Sequence, residues 1–147
     1  MSEDELRGAV AQAAASVLEN MFFAEPALCD DSDDPASLMA GVEFEGALTG
    51  AMTITLSNAS ASRLATDFLG LETGELAQNQ IADVLTELTN MICGALLSCL
   101  EKASTLTLGQ PAVVGPEWAT RFSGWIHQSF DLGDGRMGVA IALAQQP

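Results

Sequence analysis

Four small or polar residues, Asp83, Glu87, Asn90 and Gly94, recur at i, i+4, i+7 and i+11 inside an otherwise apolar stretch. Winding residues 80–101 as a helix, at about 100° per residue, separates two faces. Ile81, Val84, Leu85, Leu88, Met91, Ile92, Ala95, Leu96 and Cys99 fill one broad apolar arc, and the four residues stand in a narrow stripe opposite, a line that Glu101 extends. Carboxylates so placed can pair with a cation on a partner. A carboxamide both donates and accepts hydrogen bonds. The wet side of any amphipathic helix also looks like this. Two residues fit that plainer reading badly. Asn is a poor helix former where Ala, Lys or Glu would serve, and Gly94 costs about 1 kcal/mol against Ala in a helix interior. Its missing side chain leaves room for another backbone, from a partner or from a neighbouring element of the same fold.

The stripe is useful only if the rest of the chain holds its helix still. Ser2-x-x-Glu5 is a capping box, and Leu6, Val10, Ala13, Val17 and Met21 follow at helical spacing, predicting a first helix that ends near Pro26. Asp30-Asp31-Ser32-Asp33-Asp34-Pro35 is a loop by composition; it lacks the glycine and terminal glutamate of an EF-hand loop, so a solvated charge run is expected rather than a calcium site. Alternation of Leu38, Ala40, Val42 and Phe44, then of Met52, Ile54 and Leu56 after Gly46, predicts a hairpin with one buried face. A short helix over Asn58–Leu69 should stop at Gly70. The long helix runs from about Thr73–Asn79 to about Lys102. Leu106–Val114 reads as extended around Gly109 and Pro111. Phe122–Asp131 and Arg136–Ala144 form a second hairpin across Asp134-Gly135, with Phe122, Ile126 and Phe130 facing Met137, Val139, Ile141 and Leu143 inside. Helix, hairpin, helix, long helix, strand and hairpin make an α+β domain with a mainly antiparallel sheet.

Composition narrows the function. Twenty acidic residues against five basic, a formal charge of −15, repel nucleic acid and anionic membrane surfaces while leaving a locally basic protein partner open. The acidic opening Met1-Ser2-Glu3-Asp4-Glu5 does not resemble an export signal, and no uncharged apolar run reaches the ~20 residues of a membrane span, so a cytoplasmic location is expected. Three cysteines form no CxxC pair; Cys93 and Cys99 read as small apolar residues of the long helix. A single histidine, His127, has no nucleophile at a recognisable spacing and reads as a surface residue. Trp125, alternating outward beside it, marks an interface unless its own chain covers it. Ala140, Ala142 and Ala144 would likewise let something pack closely on the last strand. No phosphate-binding glycine loop, Ser/His/Asp order, dinucleotide fingerprint or metal-ligand cluster is present.

Asp83-x-x-x-Glu87-x-x-Asn90, followed by Pro111, resembles the active-site motif of the CheC/CheX/FliY family of chemotaxis phosphatases. The similarity is greatest to CheX and CheX-like domains, which carry the motif once; no second copy occurs here. It extends over nearly the whole chain, from Val17-Leu18-Glu19-Asn20-Met21 in the first helix to the terminal strands. One departure is a gap from Asn90 to Pro111 a little shorter than the family's. The resemblance implies a CheC-like fold, a single CheX-like domain over residues 1–147, and hydrolysis of the aspartyl phosphate of a CheY-type response regulator. In that reading Glu87 and Asn90 are catalytic, with Glu87 docking the receiver domain and Asn90 positioning the attacking water. Asp83 and Pro111 support them, and Gly94 is a candidate partner contact. The chain would need no cofactor of its own, because Mg²⁺ would be bound by the receiver. A homodimer formed through the sheets is implied as well. The other reading of the same fold is a non-catalytic receiver-binding or flagellar-switch module.

Overall fold

Ser2 starts the first helix as its sequence indicates. The Ser2 hydroxyl accepts from the Glu5 N–H at 3.1 Å, and α1 runs over Glu3–Met21. The computed structural model describes residues 2–22, 24–29, 38–46, 49–72, 74–100 and 106–144; the Asp30–Pro35 run and Glu101 lie outside them. Strands β1 (Ala27–Cys29), β2 (Leu38–Gly46) and β3 (Gly50–Leu56) follow, then α2 (Asn58–Leu69) and α3 (Gln78–Cys99). Next come β4 (Leu106–Leu108), β5 (Ala112–Val113), α4 (Pro116–Ala119), β6 (Ile126–Asp131) and β7 (Arg136–Leu143).

The strands form one sheet in the order β1-β6-β7-β3-β2-β4, with β5 also paired to β2, and every pairing is antiparallel. Alternation has the expected effect. Ala40, Val42, Phe44, Met52, Ile54, Leu56, Met137, Val139 and Ile141 turn to one side and join a single core with α1, α2 and α3. α1 packs beside α3 and over β6, while α3 lies over β2, β3 and β5. Among the described residues α3 is the one helix long and apolar enough to cross a membrane, but its apolar arc is used inside the domain. Leu85, Leu88, Ile92 and Leu96 are each at most 2% exposed. Burying one such side chain contributes about 1.5–3 kcal/mol, so together they fix the rotation of α3 and with it the direction of the opposite stripe.

α2 ends where the sequence stops it, at Gly70 with φ 67°. Across the chain, Asp134 in the β6–β7 turn accepts from Ser60 at 2.7 Å and from the Arg63 guanidinium, tying that turn to α2. Burial would raise the Asp134 carboxyl, but the hydrogen bonds from Arg63 and Ser60 and the Arg63 charge outweigh it and hold the carboxyl below its ordinary range.

Several sequence expectations need correction. α1 stops at Met21, five residues before Pro26, and Ala27–Cys29 forms the edge strand β1 against β6. Phe122 is not part of the second hairpin, because β6 begins only at Ile126. It belongs instead to a strap, Gly115–Trp125, that crosses the other face of the sheet and includes α4. Trp118 lies over Gly41, where an added Cβ would come within 2.6 Å of its ring. Phe122 packs between Trp118 and Trp125, with ring centroids 5.2 and 5.9 Å away. Arg121 sits over the Trp118 and Phe122 rings and pairs with Glu43 at 3.0 Å. Trp125 is therefore covered by its own chain, and its indole N–H donates to the Ala119 carbonyl at 3.1 Å. Cys99, assigned to the apolar arc, is exposed, although Leu96, Leu97 and Leu100 around it are buried.

Candidate active site and docking face

The stripe on α3 stands as its spacing requires. Asp83 and Glu87 are exposed, and Asn90 and Gly94 are half-buried at the margin of the same face. From Asp83 to Gly94 the helix rises about 16 Å, and Glu87 and Asn90 are less than one turn apart. Beneath them Thr89 is fully buried, and its hydroxyl donates to the Leu85 carbonyl at 2.8 Å, so it stays within its own helix and leaves the stripe alone. Cys93 is buried too, and burial pushes its thiol up to about 12, which makes it an inert packing residue rather than a nucleophile.

Three properties characterise this face. First, among the described residues neither Glu87 nor Asn90 has a side-chain hydrogen bond or ion pair, and Asp83 is unpaired as well. Second, the described arginines are occupied elsewhere. Arg7 pairs with Glu3, Arg63 with Asp134 and Asp67, Arg121 with Glu43, and Arg136 is engaged too. Among the described residues, therefore, no basic side chain neutralises the stripe. Third, a Cβ placed on Gly94 would meet no atom within 4 Å. Among the described residues no other element of the fold fills that space, so none of them repays the helix for the glycine's cost.

Pro111 is half-buried and leads into β5, which packs against α3, so the fold brings the Pro111 segment to the same side of the sheet as the stripe. Four sequence-derived residues share one helix face, and the fifth, Pro111, immediately precedes the strand beside it. His127 lies on the far face of the sheet, exposed, away from all of them. Among the described residues no three His, Cys, Asp or Glu side chains converge as metal ligands would. An outward carboxamide flanked by carboxylates on a fixed helix can enter a partner's cleft and orient a water there; it is not equipped to act as a nucleophile.

The family model described as chemotaxis phosphatase CheX matches residues 38–117, a span that takes in β2, β3, α2, α3, β4 and β5. The chain belongs to the CheX family. Solved structures share its fold. CheX from Vibrio vulnificus is similar with a TM-score of 0.79 at 18% identity, over 98% of this chain and 99% of that one. A chain of the CheX–CheY–BeF3–Mg²⁺ complex from Borrelia burgdorferi gives 0.77 at 21% identity, over 94% and 97%. FliY from Thermotoga maritima gives 0.66 at 12% identity, over 94% and 86%. No curated protein matches the sequence. The antiparallel α+β architecture expected from the sequence thus agrees with the fold and the family.

Proposed function

We propose that this member of the CheX family is a cytoplasmic phosphatase for the aspartyl phosphate of a CheY-type receiver domain, with α3 inserted at the receiver's phosphorylation site. The observation that supports it most is the unpartnered pair Glu87 and Asn90 on a helix whose rotation the core fixes. Positioning supplies much of the rate in phosphoryl transfer, because the attacking and leaving oxygens must lie in line. The Asn90 carboxamide holds a water against the phosphorus. As the water oxygen bonds to phosphorus, the bond to the aspartate oxygen breaks and its electron pair returns to the carboxylate. The products are inorganic phosphate and the free receiver, and the proton of the attacking water leaves with phosphate or solvent. Glu87 pairs with the lysine lining the receiver's site and sets the register, while Asp83 adds to the same field. Mg²⁺, bound by the receiver's own carboxylates, supplies charge stabilisation. Pro111 orients the strand beside α3.

The decisive experiment is single-turnover decay of a phosphorylated receiver with wild type, Asn90→Ala and Asn90→Asp, alongside binding to a beryllofluoride-loaded receiver. A group that acts mainly in the transition state lowers kcat far more than affinity when removed. Both variants should therefore bind and be slow, Asn90→Asp because it sets a negative charge beside the phosphoryl oxygens. Near wild-type decay with Asn90→Ala would remove the proposed catalytic residue. Binding without decay, already in the wild type, would identify the non-catalytic receiver-binding module instead.

A further inference from the structure

The sheet ends beside α3 in β5, and that edge is open in two ways. Val113 pairs with Ala40, whose side chain is fully buried on the helix side, so the Val113 side chain projects to the same side as α3. Yet it is 44% exposed, a large apolar side chain left next to a charged stripe. Its main chain is open as well. The Val114 N–H donates to the Met39 carbonyl at 2.9 Å. Hydrogen-bonded and non-hydrogen-bonded pairs alternate along an antiparallel ladder, so the N–H and C=O of Val113 point away from β2. Among the described residues no strand pairs with β5 on that side. Pro111, two residues earlier, is in the same phase, so the N–H it lacks would have pointed outward and costs no ladder bond. A two-residue strand after a proline is a blunted edge, but it still presents one residue with its side chain, donor and acceptor all free.

We infer that Val113 is a second docking element for the receiver, resting on the phosphatase reading above. Its side chain packs on the receiver while its N–H and C=O exchange hydrogen bonds with an extended loop segment there, in the manner of strand addition. The occupant is the receiver rather than a second copy of this chain. A copy pairing at this edge would bring two unneutralised stripes, each with Asp83 and Glu87, towards one another, in a chain already carrying −15. A receiver seated on the α3 stripe reaches this edge directly, because β5 packs against α3.

The test compares Val113→Pro, which removes the outward N–H and replaces the isopropyl group with the proline ring, with Val113→Asp, which sets a charge in the apolar contact. Each is assayed for KM and kcat in receiver dephosphorylation and for affinity to the beryllofluoride-loaded receiver. Loss of one main-chain hydrogen bond predicts about a fivefold rise in KM for Val113→Pro, and Val113→Asp should exceed tenfold, with kcat at saturating receiver within about twofold. Melting temperature should hold, because the side chain is half exposed. Unchanged KM in both variants, in a protein whose Glu87→Ala variant binds weakly, would overturn the inference while leaving the phosphatase intact. So would a fall in kcat alone, or a wild-type dimer that Val113→Asp dissociates without loss of receiver affinity. A wild type that neither binds nor dephosphorylates a receiver would bring down the functional reading, and this inference with it.

Discussion

Gly94 is the position where stability and docking make opposite demands, and Gly94→Ala separates them. The residue lies inside α3, sixteen residues after its start, and a Cβ there would contact nothing within 4 Å. Alanine therefore gains the helix preference without a clash, about 1 kcal/mol. Unfolding entropy of about 2.1 cal/mol/K per residue comes to roughly 0.3 kcal/mol/K for 147 residues, so the melting temperature should rise by about 3 °C. Docking should respond in the other direction. If a receiver backbone closes onto the bare helix at Gly94, a methyl group in that contact costs about 1–3 kcal/mol, as overpacking does, roughly a thirtyfold loss of affinity at the middle of the range. Gly94→Gln extends the series, since it still favours helix but fills the space completely. Thermal melts by circular dichroism and titration with a beryllofluoride-loaded receiver give the two readings. A melting temperature that falls would refute the reading of open space. Wild-type affinity in both variants would show that the space belongs to no partner.

Other outcomes follow from the same geometry. Glu87→Ala should weaken receiver binding several-fold at low salt, and the difference from wild type should shrink as added salt screens the pair; an equal deficit at all ionic strengths would argue against a charge contact. Asp134 is held below its ordinary carboxylate range, so its contribution to stability is present above the unfolded value near 4 and is lost as pH falls through the folded one. Asp134→Asn should cost about 1 kcal/mol at pH 7, as a partly exposed pair does, and should flatten the acid limb of a stability profile; parallel limbs would contradict the assignment. Gly41→Ala forces the Trp118 ring off the sheet and should lower the urea midpoint by the equivalent of about 1–3 kcal/mol, whereas an unchanged midpoint would mean that the strap yields freely.

The helix carrying the candidate site was legible in the sequence because its period is its own evidence. Nine apolar residues on one arc place Asp83, Glu87, Asn90 and Gly94 opposite whatever the rest of the fold does. α2 was equally plain, since Gly70 is a local stop that needs no tertiary partner. What stayed hidden depends on contacts distant in sequence. β1 is three residues long and exists as a strand only through its pairing with β6. α4 is a single turn. Phe122 and Trp125 alternate as strand residues would, and alternation cannot say which chain covers an aromatic side chain. One signal was available: Gly41, in the middle of a strand, marks a close approach, and the partner proved to be Trp118. Whether Gly94 serves the fold or a partner was likewise undecided by sequence, and only the empty space around it separates the two.

The strap also determines what light can report. The chain has two tryptophans and no tyrosine, and both indoles lie on the face of the sheet away from α3, packed around Phe122. Their emission reports on how the strap seats on the sheet, while the Glu87–Asn90 face contributes no chromophore of its own. On mixing with a receiver, a change in intrinsic fluorescence that reports the local contact must arise from the receiver's own aromatic residues. A response from Trp118 or Trp125 would instead signal that docking on one face of the sheet is felt on the other.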